Sequence, residues 1–133
     1  MKTIKVAAGI ICDSIVNKHK ILTTARGYGE FKGLWEFPGG KLEDGESSQQ
    51  ALVREIKEEL NVKVKVGNLL DTIEYDYTEF HLTMDCFWCE IIEGNLNLVE
   101  AEDGKWLSKE ELHSVEWLPA DVGILDQVKL GLN

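Results

Sequence analysis

Gly39-Gly40-Lys41-Leu42-Glu43-Asp44-Gly45-Glu46, then Ser47-Ser48-Gln49-Gln50-Ala51-Leu52-Val53, then Arg54-Glu55-Ile56-Lys57-Glu58-Glu59-Leu60-Asn61-Val62 is the stretch on which the fold turns. Two glycines open it, and Ser47 stands three residues before Gln50, the spacing of a capping box, so it reads as a loop feeding a helix. Ala51, Leu52, Ile56 and Leu60 recur at helical spacing and predict one apolar face that anchors the helix to a core. The same period brings Glu55, Glu58 and Glu59 onto one flank. Each like-charge pair at that spacing costs ~0.2–0.5 kcal/mol when nothing sits between the charges. Carboxylate oxygens are hard ligands. A few of them, with positions left open for water and phosphate oxygens, hold Mg2+ or Mn2+ in phosphate chemistry. A Glu-rich helix by itself reads as a solvated charged face, so the flanking residues decide.

From Gly40, five residues lead to Glu46 and seven more to Arg54-Glu55; Ile56, Lys57, Glu58-Glu59, Leu60, Asn61 and Val62 follow. This closely resembles the Nudix box: Gly, five residues, Glu, seven residues, Arg-Glu, an aliphatic, any residue, Glu-Glu, any residue, Gly and an aliphatic. Asn61 departs from it, standing where the family has Gly. That glycine would end the helix in a left-handed conformation, and Asn tolerates the same geometry best among side chains, so the loop-helix-loop is expected to survive. The resemblance spans nearly the whole chain, with the box as its specific part. It implies an α/β fold, a Nudix-type α/β/α sandwich with a mixed β-sheet.

The 133 residues have room for one domain, 1–133, with a real core. The formal charge of −10 argues against a nucleic acid polymer or an anionic membrane as partner. It also repels a triphosphate, a conflict resolved only if bound divalent cations invert the local field. The amino-terminal apolar run is too short to span a bilayer and enters a strand pattern without a cleavage-type segment, which predicts a cytoplasmic protein. Three cysteines, an odd number, fit a reducing compartment. Cys86 and Cys89 mimic a CxxC, but inside a strand an offset of three puts them on opposite faces, so buried thiols are expected.

Ile4–Cys12 reads as a buried strand and Ile21–Arg26 as its neighbour. A glycine-rich stretch, Gly27 to Gly33, leads on to Leu34-Trp35-Glu36-Phe37-Pro38-Gly39-Gly40-Lys41, whose alternating Trp35 and Phe37 suggest core packing. Val62–Val66 alternates like a half-exposed strand. Asp71–Tyr77 and Leu82–Ile92 read as two longer strands joined around Thr78 to His81, with His81 a solvent-facing turn residue. Ser108 with Glu111 repeats the capping spacing and starts a short helix. Leu118-Pro119-Ala120-Asp121 opens a final amphipathic helix through about Leu130, with Val122, Leu125, Val128 and Leu130 as its apolar side.

The resemblance, closest to the MutT and CTP pyrophosphohydrolase branch, implies hydrolysis of a nucleoside triphosphate to a nucleoside monophosphate and pyrophosphate, on 8-oxo-dGTP and/or (d)CTP-type nucleotides, for nucleotide pool sanitation. Mg2+, or Mn2+ in its place, makes a bound water acidic for in-line attack and neutralises phosphate charge. The metal set carried over is Glu55, Glu58, Glu59 and Glu100, with the Gly39 carbonyl; which glutamate is the base stays open. Glu100 stands six residues before Trp106, with Glu102 as a rival and a solvated acidic loop as the plain alternative. Arg54 is expected to orient Glu55, and Glu46 to pair with Arg54. Arg26 and Lys41 are the phosphate contacts; Tyr77, Leu82 and Met84 lie near where the branch walls the base, against plain packing as the alternative, and Phe37 is carried as a further substrate contact against its core packing. Asp121 either offers the base an acid or caps the terminal helix. Two other functions stay open. Tyr77, sixteen residues beyond Asn61, resembles the dinucleoside polyphosphate branch. A non-catalytic nucleotide-binding Nudix module is the other, disfavoured because every acidic position of the box is kept. Monomer and homodimer are both open.

Overall fold

A computed structural model describes all residues 1–133. The strands are β1 (Lys2–Cys12), β2 (Lys20–Ala25), β3 (Trp35–Glu36), β4 (Gly39–Lys41), β5 (Val62–Asp76), β6 (Phe80–Gly94) and β7 (Asp103–Ser108). The helices are α1 (Ser48–Leu60), a 3-10 turn (Lys109–Ser114), α2 (Pro119–Val122) and α3 (Leu125–Gly131). The sheet runs β3-β2-β1-β6-β5, with β4 on β1 and β7 on β2; β1 and β6 are parallel and the other pairs antiparallel, so the sheet is mixed as expected.

Strand alternation divides the core between the two faces. Ala8, Ile10 and Cys12 of β1 join the cluster under the carboxyl-terminal helices, with Ile124, Leu125 and Val128, while Ala7 and Ile11 join the cluster under α1, with Leu52, Ile56 and Leu60. Cys86 lies in the first cluster and Cys89 in the second, both buried free thiols like Cys12, so the CxxC spacing carries no pair.

The ends of α1 form as their residues predict. Ser47 Oγ accepts the Gln50 N–H at 3.1 Å, and Gln50 Oε1 accepts the Ser47 N–H at 2.9 Å. Asn61 sits at φ 60°, ψ 31°, and its N–H reaches the Lys57 carbonyl. Asn61→Ala should therefore cost roughly 1 kcal/mol of stability and Asn61→Gly little or none, read from urea unfolding midpoints.

Three expectations are corrected. Val62–Val66 and the Asp71–Tyr77 segment form one strand, β5, which ends at Asp76, because register shifts between Lys63 and Val64 and from Val66 to Asp71 carry the pairing with β6 through the interruption. The final helix breaks at Gly123 into α2 and α3, which turns Val122 and Leu130 to solvent, at 54% and 87% exposure, and buries Ile124 instead. His81 is not a turn residue: it pairs with Asp76 on the β5–β6 ladder, its Nδ1 2.5 Å from Asp76 and its Nε2 3.2 Å from Glu74. Those two carboxylates raise its pKa above the usual imidazole value.

Candidate active site

Two walls enclose a cavity of about 520 Å³. One is carboxylate-rich, with Glu36, Glu55, Glu59 and Glu100 beside Gly39, Gly40 and Lys41; the other is mostly apolar, including Tyr28, Phe31, Tyr77, Phe80, Leu82 and Met84. Arg26 and Asp121 also line it.

The carboxylate wall exists because β4 passes close to α1. Gly39 has φ 152°, and a Cβ there would lie 2.0 Å from the Ala7 carbonyl oxygen; a Cβ on Gly40 would meet the Glu55 carboxyl carbon at 2.4 Å. Only glycine lets this strand lie between β1 and Glu55. Arg54 joins loop to helix. Its Nε and Nη2 donate to both Glu46 oxygens at 2.8 and 2.9 Å, Nη1 donates to Glu55 at 2.8 Å, and Nη2 also reaches the Lys41 carbonyl at 3.0 Å. The guanidinium brings Glu46 down to about 2, and the two carboxylates push Arg54 further up.

Glu59 lacks such a partner. Burial first, then the charges of Glu55, Glu36 and Glu100, push it up to about 8, against a backbone hydrogen bond from Gly39. The Glu100 loop is held on α1 by its main chain, with Val99 N–H on the Glu59 carbonyl at 3.0 Å and Asn97 N–H on the Leu60 carbonyl at 2.9 Å. These bonds satisfy carbonyls that the end of a helix leaves free. Glu102, the rival to Glu100, does not line the cavity. Neither does Glu58, whose side chain is 60% exposed and 3.6 Å from Arg54, so the three box glutamates do not converge as helical spacing alone suggests. No three acidic, His or Cys groups approach closely enough to form a metal cluster by themselves. A wall of carboxylates whose charges together push Glu59 up nevertheless has the donor chemistry of a hard cation site.

Glu36 is the residue that sequence reasoning passed over. Arg26 donates to it through Nε at 2.9 Å and Nη2 at 2.7 Å, a bidentate pair inside the cavity, and so spends two donor groups on an acid rather than keeping them all for phosphate. The available signal was an acid between two aromatics at the entry to the glycines. Asp121 caps nothing: its Oδ2 accepts the Phe37 N–H at 2.8 Å. Burial, opposed by that bond, raises its pKa to about 7. Phe37 is 3% exposed and packs on Trp117, with ring centroids 4.7 Å apart. Tyr77 stacks on Phe80 at 5.0 Å and accepts the Ala120 N–H at 3.2 Å, so the hairpin tip and α2 brace each other. Phe31 and Tyr28, from the glycine-rich loop, complete this wall without any periodic signal in the sequence.

No helix is long and apolar enough to cross a membrane. The chain is 31% identical over 129 residues to an 8-oxo-dGTP diphosphatase of Escherichia coli K12, covering 97% of this chain and 98% of that protein. It is 35% identical over 127 residues to a CTP pyrophosphohydrolase of the same organism, covering 95% and 91%. The solution structure of the E. coli ORF135 protein matches with a TM-score of 0.81 at 33% identity, covering 98% of this chain and 91% of that one. Nudix hydrolases need divalent metal ions. A NUDIX domain model matches residues 14–127, and with this fold and this box the chain belongs to the Nudix family of hydrolases.

Proposed function

We propose that residues 1–133 form one MutT-like catalytic domain that hydrolyses a nucleoside triphosphate to the monophosphate and pyrophosphate, acting in the cytoplasm on 8-oxo-dGTP and/or (d)CTP-type nucleotides. The observation that carries this is the two-walled cavity, one wall acidic and the other aromatic. At about 520 Å³ it has the size of a single small-ligand site. The dinucleoside polyphosphate reading rests on Tyr77 alone, and Tyr77 lines this same single cavity, its ring on Phe80 and its hydroxyl on the Ala120 N–H.

Glu55, Glu59 and Glu100 would hold Mg2+, with the Gly39 carbonyl beside them and Glu58 at the outer edge. Bound there, the cation supplies charge neutralisation on phosphate and acidity to water. Arg54 fixes the Glu55 carboxylate, and Glu46 fixes Arg54 in turn. A cation there would offset the burial and the charges of Glu55, Glu36 and Glu100 that hold Glu59 up, so that Glu59 would bind it as a carboxylate. Lys41 offers a point charge to phosphate, and Arg26 its remaining N–H groups. Phe37, Tyr77 and Leu82 bound the base pocket, and Asp121 reads its edge. The names of the relatives support the substrate class, and the three buried free cysteines suit a reducing compartment.

The decisive experiment is steady-state kinetics with Mg2+ on CTP, dCTP, 5-methyl-dCTP, dGTP, 8-oxo-dGTP and dTTP, with pyrophosphate as the detected product. No release from any of them, or release of inorganic phosphate only, overturns the proposal. In the same assay Arg54→Ala should lose roughly 100-fold in kcat, since it frees both Glu46 and Glu55, whereas Arg26→Lys keeps a charge and should lose ~10-fold or less. Equal losses would count against these separate roles.

A further inference from the structure

Asp85 lies on β6 between Met84, which lines the cavity, and Cys86, buried beneath the carboxyl-terminal helices, so strand alternation turns its side chain to the α1 face. There its Oδ2 accepts the Ser48 hydroxyl at 2.5 Å and its Oδ1 accepts the Thr72 hydroxyl at 2.7 Å. Ser48 is the first residue of α1 and Thr72 belongs to β5. One carboxylate thus ties the start of the helix to the hairpin whose opposite face walls the cavity. α1 has no acidic residue in its own first turn, and Asp85 brings a negative charge to that positive end from 37 residues away.

Glu55 and Glu59 lie seven and eleven residues beyond Ser48 on the same helix, ~10 and ~16 Å along its axis at the usual rise. A small tilt at the first residue therefore moves both carboxylates relative to Leu82 and Met84. The apolar face holds α1 from below and Arg54 holds its middle to the loop; Asp85 is the polar tie between its first turn and the hairpin.

We propose that Asp85 is a positioning residue, which sets the helix bearing the metal-binding carboxylates in register with the hairpin bearing the base pocket. This rests on the function proposed above. Mn2+ titration of the full chain, followed by electron paramagnetic resonance, tests it with Asp85→Asn, which keeps the shape, and with Ser48→Ala, which leaves Asp85 in place. Each variant should bind Mn2+ about 3- to 10-fold more weakly, less than a direct partner of a metal ligand would cost, and KM for the preferred nucleotide at saturating Mn2+ should rise by a similar factor, because the carboxylates no longer line up with the base pocket. Variants that melt earlier but bind Mn2+ as the wild type does would make Asp85 a merely stabilising contact and overturn the inference alone. A wild-type chain that binds no Mn2+ would overturn it together with the functional proposal.

Discussion

Glu59→Gln should abolish most of the activity, roughly 10³-fold in kcat, while raising the melting temperature of the metal-free protein at pH 8. The loss follows, on the proposed function, from removing one proposed charged ligand from a site where electrostatics supplies the barrier reduction, at about 1.4 kcal/mol per tenfold. The gain in stability has the same origin. A carboxyl that sits at about 8 in the fold and near 4.5 when unfolded contributes stability that is fully present below pH 4.5 and is lost as the pH rises through 8. Asp121, at about 7, drains stability in the same direction over a slightly lower window. Glu46 works oppositely, but only between its folded value of about 2 and 4.5, outside the range of interest. The metal-free melting temperature should therefore fall from pH 5 to pH 8, and Mg2+ should restore it. Glu59→Gln should flatten the profile and melt roughly 5 °C higher than wild type at pH 8. Scanning calorimetry with EDTA and with Mg2+ checks both halves. A variant that melts lower than wild type at pH 8 without metal would mean that Glu59 is not held under electrostatic stress.

The second large effect concerns the base. Asp121 is 6% exposed, and one carboxylate oxygen is taken by the Phe37 N–H. No sealed side-chain polar atom lacks a partner, so the other oxygen is the one open to the cavity. An ionised carboxylate only accepts hydrogen bonds, which favours the exocyclic amine of cytosine or the N–H groups of guanine and 8-oxoguanine over the carbonyl edges of thymine and uracil. Asp121→Ala should collapse the preference for the best donor base over dTTP by about 10- to 100-fold. It should also cost ~1–3 kcal/mol of stability by stranding the Phe37 N–H. With its pKa at about 7, the wild-type preference should be sharper at pH 8, where the group is ionised, than at pH 6, where it also donates. If Asp121→Ala loses stability but keeps the wild-type order of bases at both pH values, the residue only braces β3 and the Phe37 main chain.

The local features were legible in the sequence because they rest on contacts between residues a few positions apart. Ser47 and Gln50 cap each other across one turn and Asn61 ends the helix in a conformation its own side chain tolerates, whereas the pairing of Arg54 with Glu46 and Glu55 came with the resemblance to the box. The opposite facing of Cys86 and Cys89 follows from strand period alone. Where period was the only guide, it failed at the places where tertiary contacts compete with it. The flank shared by the three box glutamates splits, because Gly40 packs on Glu55 while Glu58 turns outward. The terminal helix breaks so that Ile124 enters the core in place of Leu130.

What only the tertiary structure decided are the pairings across long separations. Asp121 meets the Phe37 amide 84 residues away, and Asp85 meets Ser48 across 37. Arg26 closes on Glu36 only because β2 and β3 run side by side. A residue's type and spacing show what it can donate or accept, but its partner depends on which strands lie next to each other. That order is set by burying both faces of one sheet at once, a condition on the whole chain that no single stretch of it contains.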